Sequence, residues 1–341
     1  MLKSTLRAAA VVAAAAAVVA LAPQHARARP EAGRKVVLIG LGGTSWADIK
    51  TAGHSSGPGY MPRMPALSRL IDSGSVANVS FSITNRTGDG YLTVGTGERS
   101  RADAGDALAF NAGEQVENGP AEDAFQRYTG RQPAGDVMVL PAGIIAEKNE
   151  KQGLFIRPGF LADSLARRGM KTAVVGNADL SSASLPGVLP RISVRSQTPA
   201  PETGIHREAA LAAMKGDGSI DHGDVGRDLL EPDPTAPYGI ATSPPALEAA
   251  FRDAYAKADF VVVETGDPAR ADLYSAGLPS GRAAALRAAA VRKADRLIAA
   301  VTRHTDPANT LIIVASTTTP GGPAERGSLR PVAASGPGIE K

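Results

Sequence analysis

Four short apolar runs recur along the chain, and each is rich in β-branched residues. They are Lys35–Leu41, Lys171–Gly176, Asp259–Glu264 and Thr310–Ala315. Runs that are apolar at consecutive rather than alternating positions are typical of strands buried on both faces of a parallel sheet. The pattern therefore predicts a parallel sheet built on these four strands.

Between the runs, apolar residues recur at helical spacing. The predicted helices are Met64–Ser73, Gly159–Arg168, Pro245–Lys257 and Gly281–His304. Helices that alternate with buried strands indicate a doubly wound α/β fold, with a mostly parallel sheet covered by helices on both faces. Residues 99–153 and 180–245 are rich in Gly, Pro, Ser and Asp, and this composition predicts long surface excursions.

The first 28 residues have the pattern of a secretory signal peptide. Lys3 and Arg7 form a positive start, Ala8–Ala22 is apolar but short for a membrane span, and an A-x-A cleavage sequence ends at Ala28. We expect cleavage near Ala28 and a secreted or extracytoplasmic protein; an uncleaved anchor is the alternative. Residues 29–341 are then predicted to form a single α/β domain.

Composition narrows the classes of function. The 341-residue chain has a formal charge of +3 and 4% aromatic residues, and removal of residues 1–28 would bring the charge to zero. A neutral chain with few aromatic residues lacks the features of a nucleic-acid-binding protein. No further apolar stretch is long enough for stable membrane insertion. The chain contains no cysteine, which excludes thiolate metal sites and cysteine nucleophiles.

In a parallel α/β sheet, ligands bind at the carboxyl ends of the strands. The residues that follow the four apolar runs are therefore the first candidates for a site: Gly42-Gly43-Thr44, Asn177-Ala178-Asp179, Thr265-Gly266-Asp267 and Ser316-Thr317-Thr318.

Three local motifs suggest other chemistry. Gly53–Gly57 (G-H-S-S-G) matches the nucleophile-elbow pattern around Ser55, although no strand precedes it; a serine hydrolase is kept as an alternative. Gly40–Gly43 begins like a dinucleotide fingerprint but lacks the third glycine and the acidic residue. Met214–Asp224 can be aligned with a calcium loop, yet its first ligand positions are not acidic, and a tight turn is the preferred interpretation.

The order of the segments resembles the alkaline phosphatase superfamily, which includes nucleotide pyrophosphatases, sulfatases and cofactor-independent phosphoglycerate mutases. The resemblance covers most of residues 34–341. It depends on the threonine-containing segment Thr84–Gly97 and on six further segments: V-V-L-I-G-L-G-G, M-P-A-L-S-R-L-I-D-S-G-S, P-G-F-L-A-D-S-L-A-R-R-G, V-V-V-E-T-G-D, L-I-I-V-A-S and P-V-A-A-S-G-P-G-I.

The resemblance implies a metal-dependent hydrolase of small phosphate or sulfate esters. Such enzymes use two metal ions, usually zinc, to activate a Ser or Thr nucleophile and to stabilise the attacking and leaving oxygens. Carried over residue by residue, it makes Thr87 the nucleophile and Asp267 a metal ligand.

Several positions depart from the family pattern. Gly42 and Ala271 stand where the family has a metal-binding Asp and His, Gly90 stands at the Asn position, and Thr317 lies where Asp and His are expected. Asp89, Asp179 and Glu264 are neighbouring carboxylates that could substitute. The chain ends at Lys341, before the family's last His ligand, so we expect the domain to be incomplete at its C-terminus.

These departures favour a secreted alkaline-phosphatase-like protein with a degenerate metal site and little or no hydrolase activity. The first alternative is a metal-dependent ester hydrolase that uses Thr87 as its nucleophile. The second is a serine hydrolase that uses Ser55.

Overall fold

The computed structural model describes residues 34–53, 64–80, 87–116, 119–182, 204–318 and 329–339. The predicted signal peptide, its cleavage position near Ala28 and the candidate nucleophile Ser55 lie outside the described residues. Within the described ranges, no helix combines the length and apolar character needed to cross a membrane.

The described residues contain fourteen strands and ten α-helices. The strands are β1 (Lys35–Gly40), β2 (Ser75–Val79), β3 (Ala109–Asn111), β4 (Gln115–Val116), β5 (Gly119–Pro120), β6 (Val137–Val139), β7 (Thr172–Val175), β8 (Ser219–Ile220), β9 (His222–Asp224), β10 (Leu230–Pro232), β11 (Ile240–Thr242), β12 (Phe260–Glu264), β13 (Thr310–Ala315) and β14 (Arg330–Ser335). The helices are α1 (Trp46–Gly53), α2 (Pro65–Ser73), α3 (Asp89–Thr96), α4 (Ala121–Thr129), α5 (Ala142–Glu150), α6 (Phe160–Ala166), α7 (Ala210–Ala213), α8 (Pro244–Lys257), α9 (Asp267–Ser275) and α10 (Ser280–Arg303).

The main sheet has seven strands in the order β2–β14–β13–β1–β12–β7–β9. The four strands predicted from sequence, β1, β7, β12 and β13, are adjacent in it and run parallel. Strand β9 continues the parallel part, whereas β14 pairs antiparallel with both β13 and β2. The predicted doubly wound, mostly parallel α/β fold is confirmed.

Alternate residues of each central strand face opposite sides of this sheet, as the two-residue period of a strand requires. Val37 and Ile39 of β1 lie in a buried cluster with Leu297 and Ile298 of helix α10. Leu38, between them, lies in a second buried cluster with helices α3 and α7. Both faces of the sheet are therefore covered, which explains why the strand sequences are apolar at consecutive positions.

The two segments predicted as long excursions contain more structure than their composition indicated. A second sheet has the order β3–β6–β8, and a third buried cluster around Phe110, Phe125 and Met138 packs in the same region. Residues 209–214 are fully buried around helix α7. Strands of two or three residues are too short to show a period in sequence, so the prediction missed them.

Candidate functional site at the carboxyl ends of the strands

The carboxyl ends of the central strands meet at one edge of the main sheet. Gly40, the last residue of β1, is in register with Glu264 of β12 and with Ala315 of β13. The residues that follow are buried although many are polar; they include Thr44, Asn177, Asp179, Thr265, Asp267, Ser316 and Thr317. The positions that the sequence selected therefore lie together at this edge.

The side chains of Glu264 and Tyr91 form a buried pair at the centre of the edge. The Tyr91 hydroxyl donates a hydrogen bond to Glu264 Oε2, and the Gly266 amide donates to Oε1 at 2.9 Å. A Cβ at Gly40 would lie 1.7 Å from the Tyr91 hydroxyl, so the approach of the phenol to β1 requires glycine there. Burial raises the pKa of Glu264 to about 7, even though both hydrogen bonds favour the charged form.

Thr87 belongs to a second buried group beside this pair. It lies two residues before helix α3, and its hydroxyl donates to the carboxylate of Glu208. Oε1 of Glu208 is 3.0 Å from Nδ1 of His206. Burial acts to raise the pKa of Glu208, but the charge and hydrogen bond of His206, together with the bond from Thr87, hold that pKa below its ordinary value.

The two groups act on each other electrostatically. The negative charge of Glu208 adds to burial in raising the pKa of Glu264 and of Tyr91. Two acidic side chains therefore share one buried polar cluster, and one of them, Glu264, is near half-protonation at neutral pH.

Asp267, the predicted metal ligand, is bound by an arginine of its own helix. It is the first residue of α9, and its Oδ1 accepts from Arg270 Nη2 at 2.9 Å and from the Thr242 amide at 3.2 Å. Arg270 is fully buried and also donates to Thr242 Oγ1 at 2.6 Å and to the carbonyl oxygens of Asn177 and Asp179. A fixed guanidinium thus neutralises the carboxylate.

The positions that depart from the family pattern are closed by packing. Gly42 is buried, and a Cβ there would lie 2.9 Å from Cβ of Ala269. Ala271 is fully buried, and Thr317 is buried with its hydroxyl near Tyr91, whose pKa it lowers. Small side chains fill these three positions, and the surrounding atoms leave no room for a carboxylate at Gly42.

The neighbouring carboxylates considered as substitute ligands are also engaged. Asp89 Oδ1 accepts from the Ala102 amide at 2.8 Å, and Asp179 pairs with Arg207 at 2.9 Å. Among the residues that the structure describes, no three His, Asp or Glu side chains are grouped so that they could hold a metal ion. The described donor set therefore does not fit a dinuclear metal centre.

Two further arginine clusters flank the site. Arg207, fully buried, donates to both carboxylate oxygens of Glu114 at 2.7 and 2.8 Å and to Asp179. Arg287 of α10 binds Asp48 and Asp272 and donates to the Gly43 carbonyl at 2.9 Å. Each joins elements that are far apart in the chain.

The Met214–Asp224 segment forms the preferred tight turn. The Lys215 amide donates to the Ser219 carbonyl at 2.9 Å, and the Gly218 amide donates back to Lys215 at 2.9 Å. Asp221 accepts from the ammonium groups of Lys215 and Lys171, so its charge is balanced within the chain.

The structure brings Thr87 and Asp267 to the same cluster through different partners. Thr87 reaches it through Glu208, and Asp267 through Arg270, whose charge also lowers the pKa of Glu264. Sequence reasoning missed Glu208, His206 and Tyr91. Their signal was weak, because the residues around His206 and Glu208 carry neither a strand pattern nor a recognised motif.

Comparison with known proteins gives structural matches alone. No family model matches the sequence, and a search of curated proteins finds no significant match. One solved structure similar to this chain is the PH0037 protein from Pyrococcus horikoshii, with 14% identity over 90% of this chain and 87% of that one, at a TM-score of 0.47. A second is the lipoteichoic acid synthase LtaP from Listeria monocytogenes, with 11% identity, coverage of 91% and 67%, and a TM-score of 0.47.

The matches include members of the alkaline phosphatase superfamily. The alkaline phosphatase from the Antarctic bacterium TAB5 is 12% identical over 89% of this chain and 91% of that one, at a TM-score of 0.44. The likeness at these identities is one of fold, and the contacts within this chain indicate what each residue of the site does.

Proposed function

We propose that this protein is an alkaline-phosphatase-like protein with little or no hydrolase activity, in which arginine side chains neutralise the carboxylates that a metal site would use. The observation that carries the proposal is the buried pair between Asp267 and Arg270, at 2.9 Å. Its role is then binding or structural rather than hydrolytic.

The energetics of the Arg270 pair support this proposal. A metal ion at Asp267 would have to displace a guanidinium that is fully buried and that donates to three other groups of the protein. Removing one partner of a buried ion pair costs about 3–5 kcal/mol, because the other charge stays buried without compensation. The resident pair therefore competes with any cation.

The packing at Gly42 and Ala271 supports it independently. A dinuclear site needs ligands from several strand ends at once. A carboxylate at position 42 would meet Ala269, and position 271 is enclosed by its neighbours. Restoring one ligand would therefore leave the others missing.

The test combines metal analysis with turnover. We expect the purified protein to contain no stoichiometric metal by mass spectrometry and to hydrolyse neither phosphomonoesters, phosphodiesters nor sulfate esters above background. We also expect EDTA to leave the melting temperature unchanged. The proposal would be overturned if the protein bound two zinc ions and turned over an ester substrate. Thr87→Ala would then abolish this turnover, and the surface variant Thr235→Ala would preserve it.

A second candidate is an active hydrolase of small phosphate or sulfate esters with Thr87 as its nucleophile, which the resemblance makes zinc-dependent. The bond from the Thr87 hydroxyl to Glu208 favours it, because a carboxylate can take the hydroxyl proton as the oxygen attacks. This candidate predicts turnover that Thr87→Ala and Glu208→Gln both abolish and that Thr87→Ser partly retains. Equal turnover in all variants would exclude Thr87.

The Ser55 serine hydrolase stays a prediction, since Ser55 lies outside the described residues. Covalent labelling of Ser55 by a fluorophosphonate probe would support it, and the absence of labelling in folded protein would reject it.

We further propose that the protein is secreted after cleavage near Ala28 and does not bind nucleic acid. The proposed leader carries Lys3, Arg7 and Arg27 and no acidic residue, so the mature chain has no excess positive charge. N-terminal sequencing of the exported protein tests the cleavage position. Retention of residues 1–28 would identify an anchor instead.

A further inference from the structure

Residues 151–171 concentrate positive charge on one part of the chain. They contain five Lys or Arg residues and a single acid, Asp163, which gives a net charge of +4 within a chain whose total is +3. All five cations are exposed; Lys171 binds the buried carboxylate of Asp221, and the other four are Lys151, Arg157, Arg167 and Arg168. The same stretch carries two exposed phenylalanines, Phe155 and Phe160. We call these six side chains the Phe155 surface.

Phe155 is held outward by an anchored loop. With 76% of its surface accessible, it is the most exposed large apolar side chain among the described residues. On either side of it, Leu154 and Ile156 are half-buried, and Ile156 packs against the core cluster that contains Leu38. The Leu154 amide donates to the Asn149 carbonyl at 3.0 Å, which fixes the start of the segment.

Phe155 and Arg157 lie on the outer side of this extended segment, because exposure alternates from residue 154 to residue 157. The arrangement contributes nothing to the core, since an outward phenylalanine leaves its apolar surface in water. An apolar side chain fixed in this way suits a partner that removes it from water.

The cations extend from this loop along helix α6. The Arg157 guanidinium lies 5.7 Å from the centroid of the Phe160 ring. Ser164 donates to the Phe160 carbonyl, and Arg167 Nη2 donates to Ser164 Oγ at 2.8 Å. Phe160, Ser164 and Arg167 therefore share one face of the helix, as their spacing of four and three residues requires.

We propose that the Phe155 surface binds peripherally to an anionic membrane. Phe155 enters the boundary between headgroups and acyl chains, and the surrounding cations bind the phosphate groups. Apolar residues flanked by Lys and Arg are the combination that interfacial binding requires, since burial of apolar area and attraction to anionic lipid add together. This binding crosses no membrane and is independent of the proposed function at the sheet edge.

The charge distribution favours lipid over an acidic soluble polymer. A polyanion would bind the cations but would not need a fixed, outward phenylalanine. A membrane uses both features, because its surface is anionic and its interior is apolar.

The experiment is sedimentation of the full chain with vesicles. We expect binding to phosphatidylcholine vesicles that contain about 30 mol% phosphatidylglycerol, and much weaker binding to pure phosphatidylcholine. Phe155→Ser should weaken partitioning by about tenfold, from the loss of apolar burial. The double variant Arg157→Gln/Arg167→Gln should weaken it by about tenfold or more, and the remaining binding should fall further with salt.

Two matched variants control for general surface properties. Val76→Ser removes an exposed apolar side chain elsewhere, and Lys257→Gln/Arg303→Gln removes two exposed cations elsewhere. Both should bind as the unmodified protein does, and thermal unfolding should show that all variants are folded.

Three results would overturn the proposal. The first is that the protein does not bind anionic vesicles. The second is that the control variants lose as much binding as the Phe155-surface variants do. The third is that Phe155→Ser binds as the unmodified protein does and soluble polyphosphate displaces the protein completely from the vesicles. The last would identify an acidic polymer as the partner.

Discussion

At the scale of single residues, Arg270 is the side chain that binds the carboxylate of Asp267 at the sheet edge. Its guanidinium binds Asp267, Thr242 and two backbone carbonyls within a fully buried setting. A carboxylate in such a contact is neutralised without a metal ion, and its Oδ1 already accepts from Arg270 and from the Thr242 amide. This one side chain therefore makes Asp267 part of the protein's own hydrogen-bonded framework.

Gly42 provides a direct test of this closure. We expect Gly42→Asp, which introduces a carboxylate at this strand end, to destabilise the protein by about 2–4 kcal/mol, because the new side chain meets Ala269 and buries a charge. Chemical denaturation measures the loss. Gly42→Ala measures the steric part of the loss in unfolding free energy, without the buried charge. The expectation would be contradicted if Gly42→Asp left the stability unchanged and the variant bound zinc.

Glu264 predicts a pH dependence of stability. Its pKa rises from 4.5 to about 7 on folding, so the folded state holds a proton that the unfolded state releases. The stabilising contribution of this protonation is fully present below pH 4.5 and is lost as the pH rises through about 7, by about 3 kcal/mol in total.

Denaturation across this pH range, compared between the unmodified protein and Glu264→Gln, measures that contribution. We expect the difference in unfolding free energy between the two proteins to change by this amount. The exposed variant Glu150→Gln serves as the control. A constant difference between pH 4.5 and 7 would show that burial does not perturb Glu264.

At the scale of elements, helix α2 depends on a side chain that is distant in sequence. Met64 precedes the helix and supplies no side-chain cap. Asp295 of α10 instead accepts from the amides of Ala66 and Leu67, at 3.2 and 2.8 Å. The apolar spacing predicts both helices, but neither helix by itself indicates that one caps the other.

Asp295→Ala should therefore destabilise the protein by about 1–3 kcal/mol, because two amides at a helix start lose their acceptor. Asp295→Asn should cost less, since it keeps one acceptor oxygen. Hydrogen exchange should show faster exchange in α2 for the alanine variant. Unchanged exchange at Ala66 and Leu67 would contradict this account of the cap.

At the scale of the whole molecule, Arg207 joins the main sheet to the second sheet. It pairs with Asp179, which follows β7, and with Glu114, and it donates to the Ala109 carbonyl of β3 at 2.9 Å. The charges of Asp179 and Glu114 outweigh burial and raise the pKa of Arg207 above its usual value, so the arginine stays charged. The link is thus a buried ion network rather than an apolar contact.

We expect Arg207→Met to destabilise the protein by about 3–5 kcal/mol, because two carboxylates lose their partner. Arg207→Lys should recover part of the loss, since it restores the charge without the two-pronged geometry. The exposed variant Arg303→Gln should remain near the unmodified stability in the same denaturation series. Equal stability of Arg207→Met and Arg303→Gln would show that the network does not hold the sheets together.

The sequence alone determined the central architecture. A parallel sheet that is buried on both faces requires runs of apolar β-branched residues, and the helices that cover it require apolar residues at helical spacing. The ends of strands β1, β7, β12 and β13 and of their helices could therefore be predicted to within one or two residues. Strand polarity then placed their carboxyl ends at one edge, which located the candidate site.

Tertiary structure decided what that edge contains. Glu208 beside Thr87 and Tyr91 against Glu264 are contacts between side chains that lie more than 100 residues apart in the chain. Arg270, in contrast, lies three residues from Asp267 on the same helix. Side-chain contacts across a fold depend on distances that no local pattern encodes, whereas strands and helices depend on neighbours in sequence. The sequence therefore identified Thr87 and Glu264 as candidate residues. Their partners, Glu208 and Tyr91, could be identified from the tertiary structure alone.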